Sequence, residues 1–139
     1  KGVEVFFVTN RVIEIEQATI NNLEKLGFKL SSKLDLILSK GENGWGSNKT
    51  SRRELIAKDY RIIMMFGDNF GDFVDIEENL LPAGERVKFA KQYEKYWGTS
   101  WYMLANPTYG AWEGSLIGFD YSLPMKEQLK LKESALDTK

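Results

Sequence analysis

Ile62-Ile63-Met64-Met65-Phe66 runs directly into Gly67-Asp68-Asn69-Phe70-Gly71-Asp72-Phe73. The first stretch is short, apolar and bounded by turn residues, which predicts a strand over Arg61 to Phe66 buried on both faces. The second puts two carboxylates, Asp68 and Asp72, four positions apart on the loop at the strand's carboxyl end. Ligands of open α/β sheets bind at that end. Oxygen ligands converging from one tight loop suit Mg²⁺, which takes one or two carboxylates and fills its other positions with water and substrate phosphate. The same two residues also suit the start of a following helix, where carboxylates cap free N–H groups.

Upstream, Val3 to Val8 is a second run of buried-strand character. The polar turn Thr9-Asn10-Arg11 follows it, then a helix of about fifteen residues ending at Leu26, with Ile15, Thr19, Leu23 and Leu26 as inner stripe and Gly27 as its C′ residue. Leu34 to Leu38 is a third strand. The Gly-rich loop Gly41 to Ser47 is closed by Ser51-x-x-Glu54, a capping box for a helix to about Lys58. Downstream, helices are expected from Asp72 to Leu81 and from Gly84 to Tyr96, separated by Pro82. Trp101 to Leu104 is another strand, Ala105 to Trp112 a loop before a short helix, and Lys126 to Leu136 a charged final helix. This alternation predicts a mostly parallel sheet with helices on both faces. Residues 1–124 are expected to form the domain and 125–139 a C-terminal helix or tail.

Composition narrows the chemistry. At 139 residues the chain suits one domain with a real core. Its formal net charge of −1 gives no general pull toward nucleic acid or an anionic membrane. There is no cysteine and no histidine, so thiolate chemistry, imidazole bases, Ser-His-Asp triads and His-ligated zinc are excluded. Acid–base work falls to carboxylates, Lys or Tyr.

Phe6-Phe7-Val8-Thr9-Asn10-Arg11 resembles motif two of the haloacid dehalogenase (HAD) superfamily of phosphohydrolases, a strand ending in Ser or Thr. Lys49, in Ser47-Asn48-Lys49-Thr50, resembles the motif three lysine, and Gly67 to Asp72 resembles motif four, the acidic metal loop. Asn106-Pro107-Thr108-Tyr109-Gly110-Ala111-Trp112-Glu113-Gly114 is similar to a segment of the class C acid phosphatases, the lipoprotein e(P4) type of bacterial 5′-nucleotidase. Motif one, with its Asp-x-Asp nucleophile pair, has no counterpart here. The resemblance therefore implies the C-terminal half of a HAD-like Rossmannoid fold lacking its N-terminal central strand. Edges left open by that strand carry unpaired N–H and C=O groups, each costing about 1–3 kcal/mol when buried, so this chain alone is expected either to fold poorly or to have another polypeptide in the gap.

The resemblance also implies roles. Phosphate esters resist attack because an anion must approach an anion, so catalysis is charge neutralisation and positioning. An aspartyl-phosphate would form on an Asp missing from this chain. Asp68 would hold Mg²⁺ directly, and Asp72 would support it from behind. The Thr9 hydroxyl and Asn10 backbone N–H would donate to a phosphoryl oxygen, although Thr9 also suits a simple N-cap. Lys49 would neutralise phosphoryl charge and keep the nucleophilic Asp ionised, or be a surface lysine near Lys40 and Arg52. Arg11 would reach phosphate or lie solvated at a helix start. Tyr109 would be one wall of an aromatic clamp on a nucleoside, with Trp112 beneath the loop or plainly packed. The implied activity is Mg²⁺-dependent hydrolysis of phosphate monoesters, nucleoside 5′-monophosphates above all. A non-catalytic phosphate- or nucleotide-binding protein on the same scaffold is the alternative, and a phosphotransferase a third. Implied partners are a small phosphate ester and the missing N-terminal half of the domain, with no nucleic acid and a homodimer left open. The implied location is extracytoplasmic: periplasmic, outer-membrane lipoprotein or secreted.

Overall fold

The computed structural model describes residues 2–31, 34–75 and 80–136. They fall into two compact units, Lys1–Arg61 and Ile62–Lys139.

In the first unit, strand β1 (Phe7–Val12) pairs in parallel with β2 (Ile37–Lys40), Phe7 opposite Ile37 and Val8 opposite Leu38, with an irregularity before Val12 meets Lys40. Parallel neighbours need a crossover. A 3₁₀ turn (Ile13–Ile15) and helix α1 (Glu16–Lys25) supply it. The helix ends in the paired bonds of a Schellman motif: Gly27 N–H donates to the Glu24 carbonyl (2.9 Å) and Phe28 N–H to that of Leu23 (3.0 Å). Gly27 takes φ +91°, the left-handed conformation that favours glycine there. Leu36, Ile37 and Leu38 are the buried apolar residues, and Ser39 beside them is buried too. Helix α2 (Thr50–Asp59) closes the unit.

The second unit is built on aromatic rings. Strand β3 (Met65–Gly67) pairs in parallel with β4 (Trp101–Met103), residue for residue. Phe70, Phe73 and Val74 are its buried centre, with Met65, Phe89, Tyr93, Trp97 and Trp101 packed around them. Phe73 meets Trp97 edge-on at 5.1 Å between centroids, and Phe70 meets Phe89 likewise at 5.5 Å, the geometry the ring quadrupole favours. Helix α3 (Ala83–Gln92) starts after Pro82, α4 (Ala111–Leu116) after Gly110, and α5 (Met125–Ser134) after Pro124. Lys132 on α5 forms an ion pair with Glu113 on α4 at 2.6 Å.

The α/β class and the parallel pairing are as expected, the strands forming two separate two-stranded sheets among the described residues. Local expectations needed correction. The run before the acidic loop is not buried on both faces: Ile63, Met64 and Phe66 are 48%, 46% and 61% exposed. The strand there is only three residues long, and one neighbour covers one edge. Val3 and Val5 are exposed as well, and the first strand starts at Phe7, so Thr9-Asn10-Arg11 lies within β1 and is not a turn. Of the stripe on α1, Thr19 is buried, its hydroxyl donating to the Ile15 carbonyl at 3.2 Å, whereas Ile15 and Leu26 are exposed. Ser51 does not cap α2. The helix begins one residue earlier, and the Asn48 side chain accepts from the Thr50 N–H at 2.8 Å. The helix expected over Asp72 to Leu81 falls partly on residues 76–79, outside the described residues; Phe70–Asp72 is a 3₁₀ turn.

Candidate functional site

The sequence-derived site residues divide between the two units. Thr9, Asn10, Arg11 and Lys49 belong to the first, and Asp68, Asp72 and Tyr109 to the second.

In the first unit the end of β1 is bound to the loop before α2. The Asn10 side chain donates to the Ser47 carbonyl at 3.0 Å, and the Lys40 ammonium donates to the Ser47 hydroxyl at 2.9 Å. The Thr9 hydroxyl oxygen accepts from the Arg11 N–H at 3.1 Å. A hydroxyl carries one donor and two acceptor sites, so this bond occupies an acceptor and not the hydrogen. Lys49 stands at the N-cap of α2, where a cation opposes the helix macrodipole.

A residue that the sequence did not single out organises this region. Arg52 on α2 is fully buried, and its guanidinium donates to oxygens from three segments. Nη1 reaches the carbonyls of Thr9 (2.5 Å) and Leu38 (3.3 Å); Nη2 reaches Asn10 Oδ1 (2.8 Å) and the carbonyls of Gly46 (3.1 Å) and Asn48 (3.3 Å). Burial lowers its pKa from the ordinary arginine value, Arg53 lowers it further, and Glu42 opposes the shift. Glu42 itself is raised, first by burial and then by Asp35, with Glu16 adding to the repulsion. Its carboxylate accepts from the Ser39 N–H at 3.3 Å.

In the second unit the acidic loop is a capping box. Asp72 Oδ2 accepts from the backbone N–H groups of Asp68 and Asn69, both at 3.0 Å, while Asn69 Oδ1 accepts from Gly71 at 3.4 Å. Gly67 is required by close approach, since a Cβ there would lie 2.5 Å from both Cβ and Oδ2 of Asp72. Asp72 thus shapes the loop, and Asp68 is left exposed at its tip. Asn106, also missed in the sequence, joins the two motifs of this unit. Its amide donates to Asp68 Oδ2 at 2.7 Å, and its oxygen accepts from the N–H groups of Thr108 and Tyr109 at 3.1 and 3.3 Å. Trp112 Nε1 donates to the Asn106 carbonyl at 3.1 Å, supporting the loop on which Tyr109 is 66% exposed. Among the described residues no three acidic side chains gather into a cation cage.

Sequence signals for the two missed residues differ. Asn106-Pro107 is a recognisable turn initiator, but its bond to Asp68 spans 38 positions. Arg52 has no local signal at all, because its partners lie up to 43 residues away.

Comparison with known proteins agrees with these features. The profile of the family described as HAD superfamily, subfamily IIIB (Acid phosphatase) matches residues 1–112. Two solved structures of the class C acid phosphatase from Bacillus anthracis are similar to the chain. One is 28% identical with a TM-score of 0.81; the other, with tungstate bound, is 27% identical with a TM-score of 0.83. In each case the alignment covers 99% of this chain and 56% of the other, so the chain spans little more than half the length of these phosphatases.

Proposed function

The chain belongs to the HAD superfamily, subfamily IIIB (acid phosphatase), and from that premise we propose that its own residues form a phosphate-monoester-binding scaffold that carries no nucleophile. The observation that carries this reading is the binding of the Thr9–Asn10 segment to the loop leading into Lys49. It keeps one hydroxyl and one ammonium on a fixed frame, as recognition of a dianion requires. The Thr9 hydroxyl and Asn10 N–H would donate to phosphoryl oxygens, Lys49 would supply charge, and Arg11 is exposed and long enough to follow a bound anion. Tungstate, an oxyanion of phosphate-like shape, occupies one of the similar phosphatases.

The acidic loop fits Mg²⁺ as part of a ligand set. Asp68 presents an exposed carboxylate, and Mg²⁺ commonly takes one or two carboxylates with water and phosphate in its other positions. Asp72, engaged by two N–H groups, would hold the loop in shape. When bound, the metal would neutralise charge on a phosphoryl group.

Hydrolysis is the second reading, favoured by the family match. Here an Asp outside this chain would attack phosphorus, and Tyr109 would stack on the base of a nucleoside 5′-monophosphate. The rest of the parent polypeptide would cover the exposed Ile63, Met64 and Phe66, since contiguous exposed apolar surface marks an interaction site. An extracytoplasmic location goes with this reading.

Orthophosphate titration followed by ³¹P NMR, beside p-nitrophenyl phosphate turnover with and without Mg²⁺, separates the two. Binding without turnover supports the scaffold. Mg²⁺-dependent turnover that vanishes in Asp68→Asn, with the fold retained, supports the enzyme. No perturbation by orthophosphate overturns both.

A further inference from the structure

We propose that Arg52 is a positioning residue, a buried side chain that, beside the Asn10–Ser47 hydrogen bond, fixes the Thr9–Asn10 segment and the Gly46–Asn48 loop as one phosphate-receiving frame. The inference rests on the phosphate-binding reading above and deepens it.

Three observations carry it. Arg52 is fully buried and yet its five acceptors are neutral oxygens, four backbone carbonyls and one side-chain amide. A guanidinium remains charged in proteins, so none of these bonds cancels its positive charge. Burying a cation whose hydrogen-bond acceptors are all neutral is costly, and Glu42 offsets that only from outside the hydrogen-bonded set; a merely structural tie could be made by a neutral amide or hydroxyl. Next, its acceptors are the chain segments that bear the candidate phosphate ligands: Thr9 and Asn10 on one side, and Asn48, which precedes Lys49, on the other. The rigid fork of five N–H groups suits such a multi-point clamp better than an ammonium does. Finally, Nε is buried without a hydrogen-bond partner. The side chain has therefore given up one donor to place its two terminal nitrogens among those five oxygens.

The buried charge and the clamp act together. The positive field reaches an anion through the Thr9–Asn10 backbone, and the clamp keeps the donors of that backbone from relaxing away. Arg52 touches neither the expected phosphate nor its ligand atoms, and its effect is exerted through others.

The test uses the native gene product and orthophosphate as probe. Arg52→Lys retains the charge but lacks the fork, and Arg52→Gln lacks both. The expected result is at least tenfold weaker orthophosphate binding in Arg52→Lys and weaker still in Arg52→Gln, measured on protein shown to be folded by its far-UV spectrum and cooperative melting. A purely structural role lowers the melting temperature and leaves the affinity of the folded fraction unchanged, and that outcome overturns the proposal. Should either variant fail to fold, ¹⁵N-arginine spectra of the unmutated protein decide. Slowly rotating Arg52 Nη–H signals that shift on orthophosphate saturation support the role, and signals indifferent to the anion refute it. Wild-type protein that ignores orthophosphate overturns the phosphate reading itself. Wild-type binding with an unaltered Arg52→Lys variant overturns the positioning role alone.

Discussion

The two units hold their loops in opposite ways. Residues 1–61 fix theirs with a buried cation that gathers carbonyl oxygens from three segments. Residues 62–139 fix theirs with a capping box seated on an aromatic core. Phe70 lies inside that core and also belongs to the acidic loop, so ring packing and loop geometry are one structure. In the first unit Arg52 links strand ends to loop by hydrogen bonds. Hydrophobic burial is non-directional and tolerates small shifts; a guanidinium fork is directional and does not. The acidic loop is thus set by packing, and the Thr9–Asn10 segment with the loop before α2 is set by hydrogen bonds.

The sharpest way to break this contrast is Phe73→Ala. Phe73 is buried against Trp97 and Trp101, and such truncations cost about 3–5 kcal/mol. Amide exchange should accelerate across residues 62–139 more than across 1–61. Equal acceleration in both would show that the acidic loop owes nothing special to its aromatic seat.

Gly67→Ala tests the loop without touching the core. The added methyl must displace Asp72, exposing two N–H groups whose lost partner costs about 1–3 kcal/mol. Exchange at Asp68 and Asn69 should quicken first, and unchanged protection there would contradict the capping-box account.

Tyr109→Ala should leave stability within about 0.5 kcal/mol, as for other exposed sites. It should weaken nucleoside monophosphates roughly tenfold relative to p-nitrophenyl phosphate, in line with the loss of one base stack. Parallel losses for both ligands would remove the clamp.

The smallest effect concerns the first unit's polar interior. The Glu42 carboxyl is held above its ordinary range by burial, Asp35 and Glu16. Its contribution to stability is complete below the unfolded value, about pH 4, and is lost as pH rises through the folded value. Glu42→Gln should therefore raise the melting temperature near neutral pH and change it little at pH 4. A gain of equal size at both pH values would rule out the ionisation as its cause.

Element order was readable because it rests on local chemistry. Gly27 ends α1 as a C′ glycine, and the strand of Trp101 lies within a residue of its expected bounds. The acidic loop was recognisable because Asn69 and Asp72 bond within a few residues of themselves. Burial was less legible. An apolar run such as Ile62 to Phe66 looks the same whether its faces are covered or open, and it is largely open here.

Sequence by itself determined the α/β class and the parallel pairing, which follow from periodicity and local contacts, and marked four segments by their resemblance to a known family. Tertiary structure alone decided what secures them: Arg52 beneath Thr9 and Asn10, and Asn106 against Asp68. Those bonds cross 38 to 43 positions of chain, and a lone arginine or asparagine carries no mark of the distant oxygen that folding will bring to it.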